Sequence, residues 1–285
     1  MLAIVSYPIL RENIEMVAIP EKHLKLADYI EDLQSKGRYW FTKSEAMKAL
    51  GVETAPFHKA THRLIQQAKM MRIRNGFYVI IPAEYRNSNG LPPTHYIDAL
   101  MKFMKQPYYV GVLSASALHG AAHQSPQELQ VVTSKPVPII ESGATRIRFV
   151  TKKDLEKTPV QQMKTPTGFI QVSTPEATVL DLLRYVRVAG HLDNVTTAIV
   201  ELLETIDPIK LVKAASLENE FSYVQRLGYL AERFSSNKKV VKALHQLLEK
   251  KRPGFIFLRP DERKGITEKN EKWSVFVNTE VEPDL

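Results

Sequence analysis

Between residues 41 and 81 the apolar positions change period, and that change predicts the N-terminal architecture. Thr42 and Glu45 stand at capping-box spacing ahead of a short helix, Lys43–Leu50, where each satisfies a free backbone N–H. Gly51 follows at the position suited to a left-handed C-terminal cap. Thr54 is expected to cap a second helix with Pro56 in its first turn. Along that helix Phe57, Ala60, Leu64 and Ala68 form an inward face at helical period, and His58, Lys59, His62 and Arg63 fall on the other side. The period then drops to two. Met70–Arg74 and Phe77–Ile81 flank Asn75-Gly76, a pair that favours the type I′ hairpin turn. Arg72 and Arg74 alternate with Ile73, so both leave one face of the hairpin. An earlier helix over Glu21–Lys36, with Leu24, Ala27, Ile30 and Leu33 inward, completes the pattern of a winged helix-turn-helix. Arg38-Tyr39-Trp40-Phe41 leads into the capping box, and this aromatic cluster reads as core.

The rest of the chain divides by the same signals. Residues 1–19 have no period and are expected as a loosely packed arm. Pro82–Pro93 reads as a linker, giving a DNA-binding unit at 1–85 and a larger unit at 94–285. Thr94–Lys105 is expected as a helix capped by Thr94, Tyr108–Leu113 as a buried strand, and Ser114–Gly120 as a small-residue helix. Glu128–Thr133 and Thr145–Thr151 read as strands across a Pro-rich loop, and Val160–Lys164 with Gly168–Ser173 as a hairpin. Thr174-Pro175-Glu176 opens a helix to Val188, and helices follow over Leu192–Ile206, Asp207–Leu217, Phe221–Phe234 and Lys238–Lys250. The tail adds a charged loop over 261–272 and a strand-like run, Trp273–Val277. The expected class is therefore α+β: an N-terminal winged helix-turn-helix followed by a larger mixed domain, strands first and a helical C-terminal half.

Charge sharpens the N-terminal reading. The chain carries a formal net charge of +8, which suits a polyanionic partner. Within 41–81, Lys43, Lys48, Lys59, Arg63, Lys69, Arg72 and Arg74 stand against Glu45 and Glu53, seven cations to two carboxylates, a net +5. A helix fits the major groove of B-DNA, and cations on its outer face and on the adjoining hairpin meet phosphates and base edges. The alternative is a winged helix used for protein contacts, with its basic face in solvent.

Other chemistry is sparse. The absence of cysteine removes disulfides, thiolate metal sites and cysteine nucleophiles. The N-terminal MLAIVSYPIL lacks a basic flank, and no apolar run is long enough for a membrane helix, so a cytoplasmic protein is expected. His119 and His123 have the i, i+4 spacing of two metal ligands, but Gly120 stands where a zincin needs its glutamate. Gly-Val-Leu-Ser at 111–114 is not a nucleophile elbow, and Asp181 is expected to pair with Arg184 on its own helix. No catalytic set, metal site or cofactor is assignable, and the chain is read as non-enzymatic. Lys238, Lys239, Lys242, Lys250, Lys251 and Arg252 make a basic run that is either a solvated helix face or a second partner surface.

Three segments in order carry a family resemblance: Arg-Ile-Arg-Asn-Gly-Phe-Tyr at 72–78, Tyr-Tyr-Val-Gly-Val-Leu-Ser-Ala-Ser-Ala-Leu-His-Gly at 108–120, and Val-Ser-Thr-Pro-Glu-Ala-Thr-Val-Leu-Asp-Leu-Leu at 172–183. With the N-terminal layout, they resemble the AbiEi antitoxins, transcriptional regulators of type IV toxin–antitoxin loci for abortive phage infection, over about residues 20–277. The resemblance implies a repressor that binds double-stranded DNA repeats in its own promoter, with possible self-association there. It also implies an antitoxin domain that counters a nucleotidyltransferase-like toxin, directly or indirectly. The expected DNA contacts are Thr54, His58, Lys59, His62 and Arg63 on the second helix and Arg72, Arg74 and Asn75 on the wing, joined by Lys43. Two other classes stay open: a repressor whose second domain senses a small ligand, and an enzyme delivered to nucleic acid by its basic module.

Overall fold

The computed structural model describes residues 25–87, 90–121, 126–262, 265 and 267–284. The expectations for residues 1–19, Leu24 and His123 lie outside them. The chain is α+β, with ten α-helices and three sheets among the described residues.

The N-terminal unit runs α1 (Leu26–Ser35), β1 (Trp40–Thr42), α2 (Lys43–Leu50), α3 (Thr54–Gln66), β2 (Met70–Arg74) and β3 (Phe77–Ile80). Its antiparallel sheet has the order β1-β3-β2. Helix α1 buries Leu26, Tyr29, Ile30 and Leu33, a register in which Tyr29 takes the inward place expected of Ala27. The capping box forms as its spacing requires: Thr42 accepts the Glu45 N–H at 3.2 Å, and the Glu45 carboxylate accepts the Thr42 N–H at 2.9 Å. Gly51 closes α2 with φ 61. Phe41 is fully buried against the edge of Tyr29 and the face of Tyr78, so this part of the aromatic cluster is core.

Three local expectations need correction. The N-cap of α3 is Glu53, without a side-chain hydrogen bond, so Thr54 is the first helical residue rather than the cap. Ala68 lies beyond the helix end, exposed and at φ 51, and Thr61 is buried beside Phe57 and Leu64 in its place. The hairpin turn is not type I′, because only Gly76 adopts a positive φ, at 84, whereas that turn needs positive φ at both central residues. The ladder also shifts register between Arg72 and Arg74, a bulge that absorbs the mismatch.

The second region is built on a six-stranded mixed sheet of order β6-β7-β5-β4-β9-β8. Its strands are β4 (Tyr108–Val110), β5 (Leu129–Thr133), β6 (Ile140–Ser142), β7 (Thr145–Thr151), β8 (Val160–Thr165) and β9 (Gly168–Ser173). The pairs β4/β9 and β5/β7 are parallel, and β4/β5, β6/β7 and β8/β9 antiparallel. Strand β6 lies inside the stretch expected as Pro-rich loop, and β4 stops at Val110, short of Leu113. Helix α4 (Ile97–Phe103) follows a short 3-10 turn and starts after Tyr96, so Thr94 does not cap it.

Alternation along the central strands divides the core into layers. Tyr108, Val110 and Val131 face one side, with α4, Leu91 and the residues Met71, Ile73, Phe77 and Val79 of the N-terminal hairpin. Tyr109, Val132 and Val150 face the other, where the helices pack. Strand β3 is buried on both sides: Phe77 and Val79 enter the cluster of the large sheet, while Tyr78 and Ile80 enter the N-terminal cluster with Phe57 and Leu64. One apolar core thus joins the N-terminal hairpin to the six-stranded sheet.

The helical layer comprises α5 (Val112–Leu118), α6 (Pro175–Arg184), α7 (Leu192–Thr205), α8 (Pro208–Glu218), α9 (Phe221–Phe234) and α10 (Lys238–Lys251). Thr174, Asp207 and Asn237 accept backbone N–H groups at the starts of α6, α8 and α10, as their residue types favour. A small sheet of order β10-β12-β11 closes the chain: β10 (Ile256–Phe257), β11 (Glu268–Asn270) and β12 (Val275–Val277). Strand β11 lies in the stretch expected as a charged loop.

Candidate nucleic-acid interface

Helix α3 presents its basic residues because its buried face is fixed by Phe57, Thr61 and Leu64. That leaves His58, Lys59, His62 and Arg63 exposed, with Thr54 at the helix start. On the hairpin, Met70 is buried under α3, and Arg72 and Arg74 continue its alternating face into solvent. Asn75 is exposed at the turn. Lys43, at the start of α2, lies 3.3 Å from His58, its ammonium donating to Nε2. The structure therefore brings Lys43 together with α3, and Arg72 borders the same groove as His58 and His62.

None of Lys43, Lys48, Lys59, Arg63, Lys69, Arg72 and Arg74 makes an ion pair with a carboxylate among the described residues. Glu45, in the first turn of α2, is engaged elsewhere. Arg38 Nη2 donates to both of its oxygens at 2.9 Å, and the Arg38 guanidinium lies 3.8 Å over the Trp40 ring. Burial works to raise the Glu45 pKa, but the Thr42 N–H and the Arg38 guanidinium outweigh it and hold the carboxyl below its usual range. The basic face is left without internal neutralisation, which favours a polyanion in contact with it.

The groove beside α3 has a volume of about 820 Å³ and is floored by Met70, Met71 and Tyr78. Its far wall comes from residues that the sequence reading did not connect to the site: Arg86 and Asn87 of the linker and Ser142, Gly143 and Ala144 of the β6–β7 turn. Ser142 Oγ donates to the Arg72 carbonyl at 3.4 Å, tying that turn to the hairpin strand.

The remaining candidates resolve differently. Asp181 does not pair with Arg184. Its Oδ1 accepts from Lys152 Nζ at 2.9 Å and its Oδ2 from the Tyr109 hydroxyl at 2.7 Å. Lys152 also donates to Glu218 at 2.5 Å, while Arg184 reaches Glu218 at 3.0 Å and Glu220 at 2.8 Å. On a helix Asp181 and Arg184 share a side, but α6 is buried nearly all round, so each side chain turns to a different neighbour. Burial pushes the Asp181 pKa up, against the Lys152 ammonium and the Tyr109 hydroxyl. The side chains of Lys152, Asp181 and Glu218 are 4%, 0% and 4% exposed, and this buried cluster joins the end of β7 to α6 and α8.

His119 lies just past the end of α5, and its Nε2 donates to the Ser173 carbonyl at 2.7 Å, committing that nitrogen to the fold. No group of three potential metal ligands occurs among the described residues. At the β4–α5 junction Val112 takes φ 55, rare for a β-branched residue. Valine supplies no nucleophile there.

Comparison with known proteins bears on the larger region. Residues 109–233 match the family described as the AbiEi antitoxin C-terminal domain. The chain carries an AbiEi-type antitoxin domain. That match begins in β4 and runs through the large sheet and the helices to α9, so the antitoxin domain contains the Lys152–Asp181–Glu218 cluster. Among solved structures, the RV2827C protein from Mycobacterium tuberculosis aligns over 87% of this chain and 89% of its own, at 12% identity and a TM-score of 0.62. The two share a fold. An antigenic nucleotidyltransferase-like protein from Paracoccidioides brasiliensis aligns over 56% of this chain and 87% of its own, at 10% identity and a TM-score of 0.33, too low for a common fold. No curated protein matches the sequence. No helix among the described residues is long and apolar enough to cross a membrane.

Proposed function

We propose that this protein is a cytoplasmic, non-enzymatic DNA-binding autorepressor and the antitoxin of a type IV toxin–antitoxin operon, countering a nucleotidyltransferase-like toxin encoded beside it. In this reading residues 1–85 are a winged helix-turn-helix that binds repeats in the operon's own promoter, and residues 94–285 are the antitoxin and regulatory domain. Helix α3 enters the major groove with Thr54, His58, Lys59, His62 and Arg63, Lys43 supports it from α2, and Arg72, Arg74 and Asn75 on the hairpin meet the neighbouring backbone. No cofactor or metal enters the mechanism.

The observation that carries the DNA-binding part is the set of exposed cations on α3 and β2, none of them paired with a carboxylate among the described residues. A face built for protein contacts is ordinarily depleted of lysine. The antitoxin part rests on the family match across residues 109–233.

Gel shifts on the DNA upstream of the protein's own gene, against scrambled competitor across a salt series, test the first part. Sequence-preferring binding that weakens with salt is expected. Equal affinity for scrambled DNA removes the repressor reading. Co-expression with the neighbouring gene tests the second part, with growth rescue expected and continued growth arrest decisive against it.

A further inference from the structure

We propose that the DNA site extends beyond the N-terminal unit, and that Arg86 with the β6–β7 turn of the antitoxin-bearing region contacts a phosphate flanking the one reached by Arg72. This rests on the DNA-binding reading above and adds a wall to the same site.

Among the described residues, the groove beside α3 is lined by two arginines, Arg72 and Arg86, and two histidines, His58 and His62, and by no carboxylate. Arg86 makes no ion pair among the described residues and is exposed. Opposite, the two-residue turn Gly143-Ala144 connects the paired residues Ser142 and Thr145. Both turn residues are exposed, and a Cβ placed on Gly143 would meet nothing within 4 Å, so the turn borders open space. Strands β2 and β6 lie against each other, and the Ser142 bond to the Arg72 carbonyl leaves the Arg72 guanidinium free for a ligand. Ile140, in β6, is buried in the same cluster as Ile73 of β2. The turn is therefore held at a fixed place beside the hairpin by packing as well as by that hydrogen bond. A duplex whose major groove receives α3 places its phosphates to either side of the helix. The groove that borders α3 and Arg72 is also lined by Arg86 and Gly143-Ala144, and there the flanking phosphate contact falls.

The test uses the full chain and a labelled duplex from upstream of its own gene. Dissociation constants are measured across a salt series for the wild type, Arg72→Ala, Arg86→Ala, Ala144→Glu and the neutral control Ala144→Gln. Arg86→Ala is expected to flatten the slope of log K against log salt by about 0.9, the share of one phosphate. Ala144→Glu is expected to weaken binding most at low salt, with Ala144→Gln like the wild type. Melting temperatures equal to the wild type keep the comparison one of binding. If Arg72→Ala flattens the slope while Arg86→Ala and Ala144→Glu match the wild type, the extended site is overturned and the DNA-binding reading stands. If the wild type has no preference for its upstream DNA, both fall together.

Discussion

Lys152 and Asp181 meet at 2.9 Å in a place where both side chains are buried. Lys152 follows β7, Asp181 lies in α6, and Glu218 ends α8, so a single ammonium ties three elements together. Removing it leaves Asp181 buried without a cation and Glu218 with Arg184 alone. Lys152→Met is expected to cost about 3–5 kcal/mol of stability, the range for breaking a buried pair from one side. Adding Asp181→Leu should recover part of that loss. Urea denaturation of the two variants measures both effects, and a single variant as stable as the wild type would show that the cluster relaxes to admit water.

Burial pushes the hydroxyls of Tyr96, Tyr108, Tyr109 and Tyr185 upward in pKa, with the carboxylates Asp98 and Asp181 adding to the shift for the last three. A raised folded-state pKa means that the folded chain keeps protons which the unfolded chain releases. Stability is then level below the unfolded tyrosine value of about 10 and falls as pH rises beyond it. Urea midpoints should be flat up to about that pH and decline above it, and the part of the tyrosinate absorbance that a Tyr109→Phe variant lacks should appear only with unfolding. That part appearing well before unfolding would contradict the buried placement.

Gly228 lies in the middle of α9, where a Cβ would fall inside the Trp273 ring. Alanine raises helix propensity by about 1 kcal/mol, but overpacking a tight core costs about 1–3 kcal/mol. Gly228→Ala should therefore lower the melting temperature and change the Trp273 emission, since Trp273 Nε1 also donates to Glu232 at 2.7 Å. A stabilised variant would mean that the indole has room to shift.

The two parts of the proposed DNA face should separate under mutation. Arg72→Ala with Arg74→Ala removes two phosphate contacts, weakens binding to all sequences and flattens the salt slope by about 1.8. Arg63→Ala costs about 1–3 kcal/mol at the preferred site and relaxes sequence preference. Filter-binding measurements on specific and scrambled duplexes distinguish the two. An unchanged salt slope removes the hairpin from the site, and an unchanged preference removes Arg63.

Much of this architecture was legible because its determinants are local. Thr42 with Glu45, Gly51, Thr174, Asp207 and Asn237 mark helix ends through side chains within a few residues of the backbone they satisfy. The inward face of α3 followed from its period, with Thr61 in place of Ala68 because the helix ends first. Long-range pairings left no such mark. Asp181 is 29 residues from Lys152 and 72 from Tyr109, while Arg184 stood a turn away. Strand β6 exists only through its register with β7. Helical period exposed His58, His62 and Arg63, but the far wall of the groove is assembled from the linker and from a turn of the large sheet, a juxtaposition that no spacing encodes.

Phe77 and Val79 belong to the same apolar cluster as Ile97, Val110 and Val172. The N-terminal hairpin thus uses one face for its own helices and lends the other to the neighbouring sheet. Recombination that grafted this unit, with its proposed DNA face, onto an unrelated partner would leave Met71, Ile73, Phe77 and Val79 against water. An exchange of promoter specificity between such genes is therefore expected to proceed by substitution on the outside of α3, with the two halves passed down as one piece.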